Sequence, residues 1–422
     1  MKILVIGSGA REHAIITALL AEDAQHDITV APGNAGIARD VPAVNIDANN
    51  PDTVAALAQG IEADLVIIGP EAPLIAGVAD AVREAGIPVF GPNQDAAALE
   101  GSKTFAKRIM DAAGVPTGRA IKVATLIDAE AALDDYGAPY VIKADGLAAG
   151  KGVLVTSDRD AAVDHAAHWL AQGPVLIEEF LDGQEVSLFM FADGHDVLPL
   201  SPAQDFKRLG DNDEGPNTGG MGAYSPLPWL AEQFGSEDAF VTEVIETIAI
   251  PTIRQLEDEG TPFQGLLYCG LIITSKGIRV IEFNARFGDP ETQVVLPRLV
   301  TPLSELLLAS ATGDLAGRDR PEFSDDCTVT VVLASENYPE TPITGRVITG
   351  LDEAESVADV HIAHAATADK DGALIATGGR VLSVVASGSD FASARAKAYE
   401  ALGHIGLEGS QFRTDIAAKV VQ

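Results

Sequence analysis

Cysteine is scarce in this chain, with only Cys269 and Cys327 among 422 residues. Two thiols can build neither a disulfide framework nor a zinc signature. Basic residues are also few: 28 Lys and Arg stand against 62 Asp and Glu, a net charge of −34. That balance excludes general nucleic-acid binding, which needs basic surface. No stretch approaches the ~20 uncharged apolar residues that span a bilayer. The opening Met-Lys-Ile-Leu-Val-Ile-Gly runs directly into a strand and a glycine turn, with no cleavage site for a leader. The expectation is a cytoplasmic protein with no membrane or nucleic-acid partner. The acids are scattered rather than gathered into a tail. They point to a surface adapted to concentrated salt, where the Debye length shrinks to ~3 Å at 1 M and self-repulsion is screened.

What is present suits a globular α/β protein: 47% hydrophobic residues, 41 glycines, and enough length for two to four domains. Strand and helix patterns alternate over the first hundred residues. Strands are expected at 2–6, 27–31, 64–68 and 87–90, with helices at 11–20 and 75–85. This order predicts a parallel sheet with helices on both faces. Each strand runs into a loop marked by glycine or proline, and ligands of open parallel sheets bind at that edge. From about residue 117 the pattern becomes α+β with hairpins. Strands are expected at 139–143, 152–157, 174–180, 184–192, 266–274 and 278–283, with a helix at 160–171. A C-terminal unit follows from 326, with strands at 327–334 and 380–386 and a helix at 392–402.

Several segments carry chemistry. Gly7-Ser8-Gly9-Ala10-Arg11-Glu12 opens like a dinucleotide fingerprint, but Glu12 occupies the position of the third glycine. The dehydrogenase reading is therefore disfavoured, although the turn can still hold one phosphate. His13 reads as a packing or capping residue rather than a catalyst. Asp145 through Gly152 is a glycine loop with a lysine, between strands rather than before a helix, so it is no Walker A motif. Its backbone N–H groups, with Lys143 beside it, suit a triphosphate. The acids at Glu178, Glu179 and Glu185 fit either a solvated strand end or an adenosine connector, and both readings stand open. Residues 204–223 show neither helix nor strand period, which marks a functional or a mobile loop. Asn217, Thr218, Gly219 and Gly220 there could form a backbone cradle for an anion. In Ile281 through Glu291, alternation puts Glu282, Asn284 and Arg286 on one face. Carboxylate and amide oxygens suit Mg²⁺, and Arg286 could clamp a phosphoryl group.

Together these strings resemble the phosphoribosylamine–glycine ligase family of ATP-grasp enzymes. The matches are Gly-Ser-Gly-Ala-Arg-Glu-His-Ala at 7–14, Ala-Pro-Gly-Asn-Ala-Gly at 31–36, Gly-Pro-Glu-Ala-Pro-Leu at 69–74 and Glu-Gly-Ser-Lys at 100–103. They continue at 142–152, at 177–183, at 215–226 (Gly-Pro-Asn-Thr-Gly-Gly-Met-Gly-Ala-Tyr-Ser-Pro) and at 281–293. Phe206 and Thr377 depart from the family pattern, which often has His and Asn there.

The resemblance implies a Rossmann-like N-terminal domain (1–102), an ATP-grasp domain (103–320, with a lid at about 118–192) and a small α+β C-terminal domain (326–422). It implies ligation of glycine to 5-phosphoribosylamine by ATP through glycyl phosphate, with Mg²⁺ or Mn²⁺, in a monomer or weak homo-oligomer. It implies that Glu282 and Asn284 hold the metal. Lys103, Lys143, Gly146, Gly150, Lys151 and Gly152 would hold phosphates, and Glu178, Glu179, Phe180, Leu181 and Glu185 adenosine. Gly7, Gly9, Arg11, Glu12, Glu71, Lys207, Asn217, Thr218, Gly219 and Gly220 would hold the remaining substrates. Arg286 would steady the transferring phosphoryl group, and Asp205 would be the base for the amine. Another ATP-grasp ligase and a non-catalytic nucleotide sensor are the competing readings. The intact set at 282, 284 and 286 disfavours the sensor.

Overall fold

The computed structural model describes residues 1–146 and 152–421. The first sheet is wholly parallel, in the order Asp27–Pro32, Lys2–Gly7, Leu65–Ile68, Val89–Phe90. Ile3, Leu4, Val5 and Ile6 are completely buried, as a strand covered on both faces requires. The helix expected over 75–85 is two helices, Glu71–Ile75 and Val78–Glu84. Gly77 between them has φ +84°, which interrupts the helical ladder.

Two antiparallel sheets face each other next. One runs Ala120–Val123, Val175–Glu178, Tyr140–Ala144, Val153–Thr156. With helices Leu126–Tyr136 and Arg159–Leu170 it closes a small core of its own, including Leu133, Ile142, Ala166 and Ile177. The other runs Val197–Pro199, Gln184–Asp193, Gln264–Thr274, Gly277–Asn284.

The fourth large sheet is antiparallel and five-stranded: Gln204–Asp205, Gly222–Ser225, Cys327–Ala334, Arg380–Gly388, Val360–His364. Helix Phe391–His404 packs on it. Two of its strands come from the 204–223 stretch, which also folds a hairpin, Arg208–Gly210 with Glu214–Asn217. The expectation of a stretch without regular structure is thus corrected. These strands hold only two to four residues each, too few for an alternating pattern to show. Gly222 lies so close to the neighbouring strand that a Cβ would be 2.6 Å from the Thr330 carbonyl oxygen.

Candidate active site

A cleft of about 1160 Å³ opens between the two facing sheets and is bordered by N-terminal helix residues Arg11, Glu71 and Glu100 and by C-terminal residues such as Tyr338 and Arg380. Its floor is the strand Gly277–Asn284. Glu282 and Asn284 line the cleft, and Phe283 between them also borders it but is 3% exposed and packed in the core. The Glu282 carboxylate faces Lys207, whose Nζ is 3.8 Å away. Burial acts to raise the Glu282 carboxyl, but Lys207, Lys143, Lys103 and Arg286 outweigh it and hold it below the usual range. An ionised carboxylate beside an amide oxygen is a hard donor set that fits Mg²⁺ or Mn²⁺, which take one or two protein carboxylates and complete their shell with water and phosphate oxygens. Among the described residues no group of three or more His, Cys, Asp or Glu forms a self-sufficient metal site.

Arg286 stands just past the end of that strand, with its Nη2 3.5 Å from Asn284 Oδ1. Its Nη2 lies 2.8 Å from Glu100 Oε1 and its Nε 3.3 Å from Glu71 Oε2. Burial acts against the cation, but Glu100 and Glu71 more than offset it, and the guanidinium stays charged. Glu100 uses its second oxygen to accept the Ala285 N–H at 2.8 Å. One carboxylate therefore fixes both the arginine and the backbone just ahead of it.

The opposite wall is cationic. Ser102 caps helix Lys103–Ala113 by accepting the Phe105 N–H, which places Lys103 at the helix start, and Lys103 Nζ donates to the Gly146 carbonyl at 3.1 Å. Asp145, at the root of the glycine loop, accepts from Ser102, Thr104 N–H and Thr104 Oγ1 at 3.1, 3.2 and 2.6 Å. Lys143 is 5% exposed, and its Nζ is 2.9 Å from Glu178 Oε2 and 3.2 Å from the Ile281 carbonyl. Lys107 shares Glu178 at 3.4 Å. Burial depresses the ammonium groups of Lys103 and Lys107, with their like-charged neighbour Lys143 adding to it. An anion entering here meets cations already stripped of water.

Sequence models of three parts of one enzyme match the chain in order. Residues 1–100 match the phosphoribosylglycinamide synthetase N domain, 101–292 its ATP-grasp (A) domain, and 328–419 its C domain. The chain belongs to the phosphoribosylglycinamide synthetase family. The phosphoribosylamine–glycine ligase of Leifsonia xyli subsp. xyli is 70% identical over 422 residues, covering 99% of this chain and 100% of that one. The ligase of the same name from Streptomyces coelicolor is 58% identical, with 99% of each covered. The crystal structure of the Thermotoga maritima phosphoribosylamine–glycine ligase superposes with a TM-score of 0.81 at 32% identity, over 98% of this chain and 100% of that one. A biotin carboxylase from Campylobacter jejuni shares the fold at a TM-score of 0.72 and 16% identity, over 97% of this chain and 92% of that one. The expected α/β and α+β multidomain architecture, with a central ATP-grasp unit, is the one this family adopts.

The synthetase fold gathers most of the residues expected at the site around one cleft. Lys103, Lys143, Gly146, Gly152, Glu178, Glu179, Phe180, Leu181, Glu185, Arg11, Glu71, Asp205, Lys207, Asn217, Thr218, Gly219, Glu282, Asn284 and Arg286 all line it. Gly150 and Lys151 lie outside the described residues. Gly7, Gly9, Glu12 and Gly220 do not reach the cleft wall. Glu12 is 2% exposed and accepts the Gly9 N–H, and a Cβ at Gly7 or Gly69 would come within 2.6 or 2.1 Å of its side chain. Glu12 thus fills the space under two loops and leaves Arg11 to face the cleft. The Arg11 Nε has no partner among the described residues.

The anion cradle expected from 217–220 is closed on itself. The N–H groups of Thr218, Gly219 and Gly220 donate to the Lys207 carbonyl, the Tyr338 hydroxyl and the Thr218 hydroxyl at 2.7, 2.8 and 3.0 Å. Glu178 and Glu185 are engaged by lysines, the latter with Lys207 at 2.9 Å. Sequence reasoning assigned no role to Glu100, Lys107, Tyr268, Asp289, Glu291, Tyr338 and Arg380, all on the cleft wall. Glu100, Asp289 and Glu291 stand inside the matching strings at 100–103 and 281–293, and that was their signal. Tyr338 carried none.

Proposed function

We propose that this chain ligates glycine to 5-phosphoribosylamine, forming glycinamide ribonucleotide, ADP and phosphate in purine biosynthesis. The observation that carries this reading is the group of Glu282, Asn284 and Arg286 at the end of one strand, lining the same cleft as Lys103 and Lys143. A triphosphate would lie in this cleft, its charge met by the lysines. Glu282 and Asn284 would hold Mg²⁺ or Mn²⁺, which neutralises phosphate charge when bound.

The glycine carboxylate oxygen attacks the γ-phosphorus, and the bond from that phosphorus to the β–γ bridging oxygen breaks, giving ADP and glycyl phosphate. Arg286 is positioned to balance charge on the transferring group. The amine of phosphoribosylamine then attacks the glycyl carbonyl carbon, phosphate leaves, and the amine gives up one proton. Asp205 would take it. Burial, with Glu291 nearby, pushes its carboxyl well above the ordinary range, and its Oδ1 has no partner among the described residues. A base of raised pKa accepts a proton more readily than an ordinary carboxylate. The lid sheet over the nucleotide shields glycyl phosphate from water. Catalysis rests on positioning and charge, with no protein nucleophile.

No described helix is long and apolar enough to cross a membrane, which supports a cytoplasmic site of action. The charge of −34 supports a surface suited to concentrated salt. An ADP-release assay with each substrate omitted in turn tests the activity. Release is expected only with ATP, glycine and phosphoribosylamine together. Full release with another carboxylate in place of glycine would refute the assignment.

A further inference from the structure

Arg380 opens the strand Arg380–Gly388 of the C-terminal sheet, yet its guanidinium belongs to the wall of the cleft. Its Nη1 donates to the carbonyl of Gly219 at 2.6 Å and to the carbonyl of Asp289 at 2.7 Å, and lies 3.3 Å from Asp289 Oδ1. Gly219 gives its N–H to the Tyr338 hydroxyl at 2.8 Å. Both backbone polar groups of that glycine therefore end on residues from beyond 326. The contact leaves no slack: a Cβ at Gly219 would lie 3.0 Å from the guanidinium carbon, and one at Gly220 would lie 2.3 Å from Pro290 Cδ.

Asp289 is itself held, its Oδ1 accepting from Gln293 Nε2 at 2.9 Å. Despite burial, Arg380 and Arg11 keep its carboxyl below the ordinary range. One cation thus bolts two cleft segments together. One is the loop 217–220, and the other is the turn after Arg286, just beyond the strand that ends at Asn284. Both carbonyls are reached by the one Nη1, whose two N–H directions are fixed by the guanidinium plane, and an ammonium on a freely rotating stem does not hold that geometry.

We infer that Arg380 is a positioning residue for the ligation, with Tyr338 as its second anchor: it sets the distance between the 217–220 loop and the strand end carrying Asn284 and Arg286. The C-terminal sheet then has a role in the chemistry, keeping the acceptor amine in register with the acyl phosphate. The inference rests on the proposed function and takes Asn217, Thr218 and Gly219, which line the cleft, as the side that meets glycine or phosphoribosylamine.

The test compares Arg380→Lys, Tyr338→Phe and Asn217→Ala in the full chain. The readouts are kcat, KM for glycine and for phosphoribosylamine, Kd for ATP, thermal midpoint, and ADP released per product formed. For Arg380→Lys, turnover should fall by about 10²-fold, the cost of a ~1 Å misplacement of reacting groups. ATP binding and thermal midpoint should stay near wild type, and ADP released per product should rise as misplaced glycyl phosphate is lost to water. Tyr338→Phe should show the same pattern at about 2- to 12-fold, the worth of one neutral hydrogen bond. Asn217→Ala should raise KM for one of the two small substrates.

If Asn217→Ala raises a substrate KM while Arg380→Lys leaves kcat, KM and coupling within twofold of wild type, the inference fails and the loop assignment stands. If neither variant moves substrate KM or coupling, the loop assignment falls and takes the inference with it. A loss in Arg380→Lys that tracks a lowered thermal midpoint and an equal loss of ATP binding would make Arg380 a fold-stabilising tie and overturn the positioning role.

Discussion

Replacing Arg286 with Met should damage catalysis and stability by separable amounts. The side chain stands 2.8 Å from Glu100 and 3.3 Å from Glu71. Removing a charge-stabilising donor from a transition state costs about 2.7–4 kcal/mol, or ~10²- to 10³-fold in kcat. The same substitution strands Glu100, whose residue is 9% exposed. Breaking a buried pair from one side costs about 3–5 kcal/mol. The lower end applies, because Glu100 keeps the Ala285 N–H and its carboxyl, already raised by burial, can take up a proton. Against a typical stability of about 5–15 kcal/mol, the variant still folds. Glu100→Gln on that background removes the stranded charge and keeps an acceptor for Ala285. The double variant should regain most of the lost unfolding free energy in a urea titration while its kcat stays ~10²-fold or more below wild type. If turnover returned together with stability, Arg286 would only neutralise Glu100, and its role in phosphoryl transfer would be refuted.

Glu282→Gln should raise the Mg²⁺ concentration needed for half-maximal ADP release by more than about tenfold, since even outer partners of a metal ligand are worth 10–100-fold. An unchanged magnesium titration would remove Glu282 from the metal site. Burial, with His13 alongside, pushes His361 down to about 4 and His364 down to about 3, where His13 bonds Asp40 at 2.8 Å and accepts the His364 N–H at 2.8 Å. Both rings are neutral in the folded chain and gain protons near pH ~6.5 on unfolding. Their contribution is thus complete above about pH 7 and is lost as pH falls from ~6.5 toward 4 and 3, by up to ~1.4 kcal/mol per pH unit for each ring. His361→Gln should flatten that slope in denaturation curves across the range, and an identical slope would contradict the assignment. With a charge of −34, the thermal midpoint should rise as salt is raised toward 1 M and self-repulsion is screened. A midpoint independent of salt would end the salt-adaptation reading.

Local chemistry was legible where it repeats along the chain. Period-two alternation was enough to put Glu282 and Asn284 together, although Arg286 falls just past the strand's end, and the apolar runs expected at 2–6 and 64–68 marked buried strands. What stayed hidden depends on partners far along the chain. Arg380 meets Gly219 across 161 residues, and Glu100 meets Ala285 across 185. No spacing rule connects such positions. The anion cradle at 217–220 looked open because a sequence does not show that Tyr338 and the Lys207 carbonyl already occupy its N–H groups. The resemblance put Glu12 among the residues holding substrate, yet packing under Gly7 and Gly69 claims it. The strands around 204–225 are too short for periodicity. Gln204–Asp205 and Gly222–Ser225 exist because they join the C-terminal sheet, a tertiary cause, while Arg208–Gly210 and Glu214–Asn217 pair only with each other.

The most direct test of the central claim is a crystal grown with Mn²⁺ and a non-hydrolysable ATP analogue, with the metal located by its anomalous scattering. The account predicts a peak bonded to the Glu282 carboxylate and the Asn284 amide oxygen, with the triphosphate running toward Lys103 and Lys143. A triphosphate bound with its metal away from both 282 and 284 would contradict it.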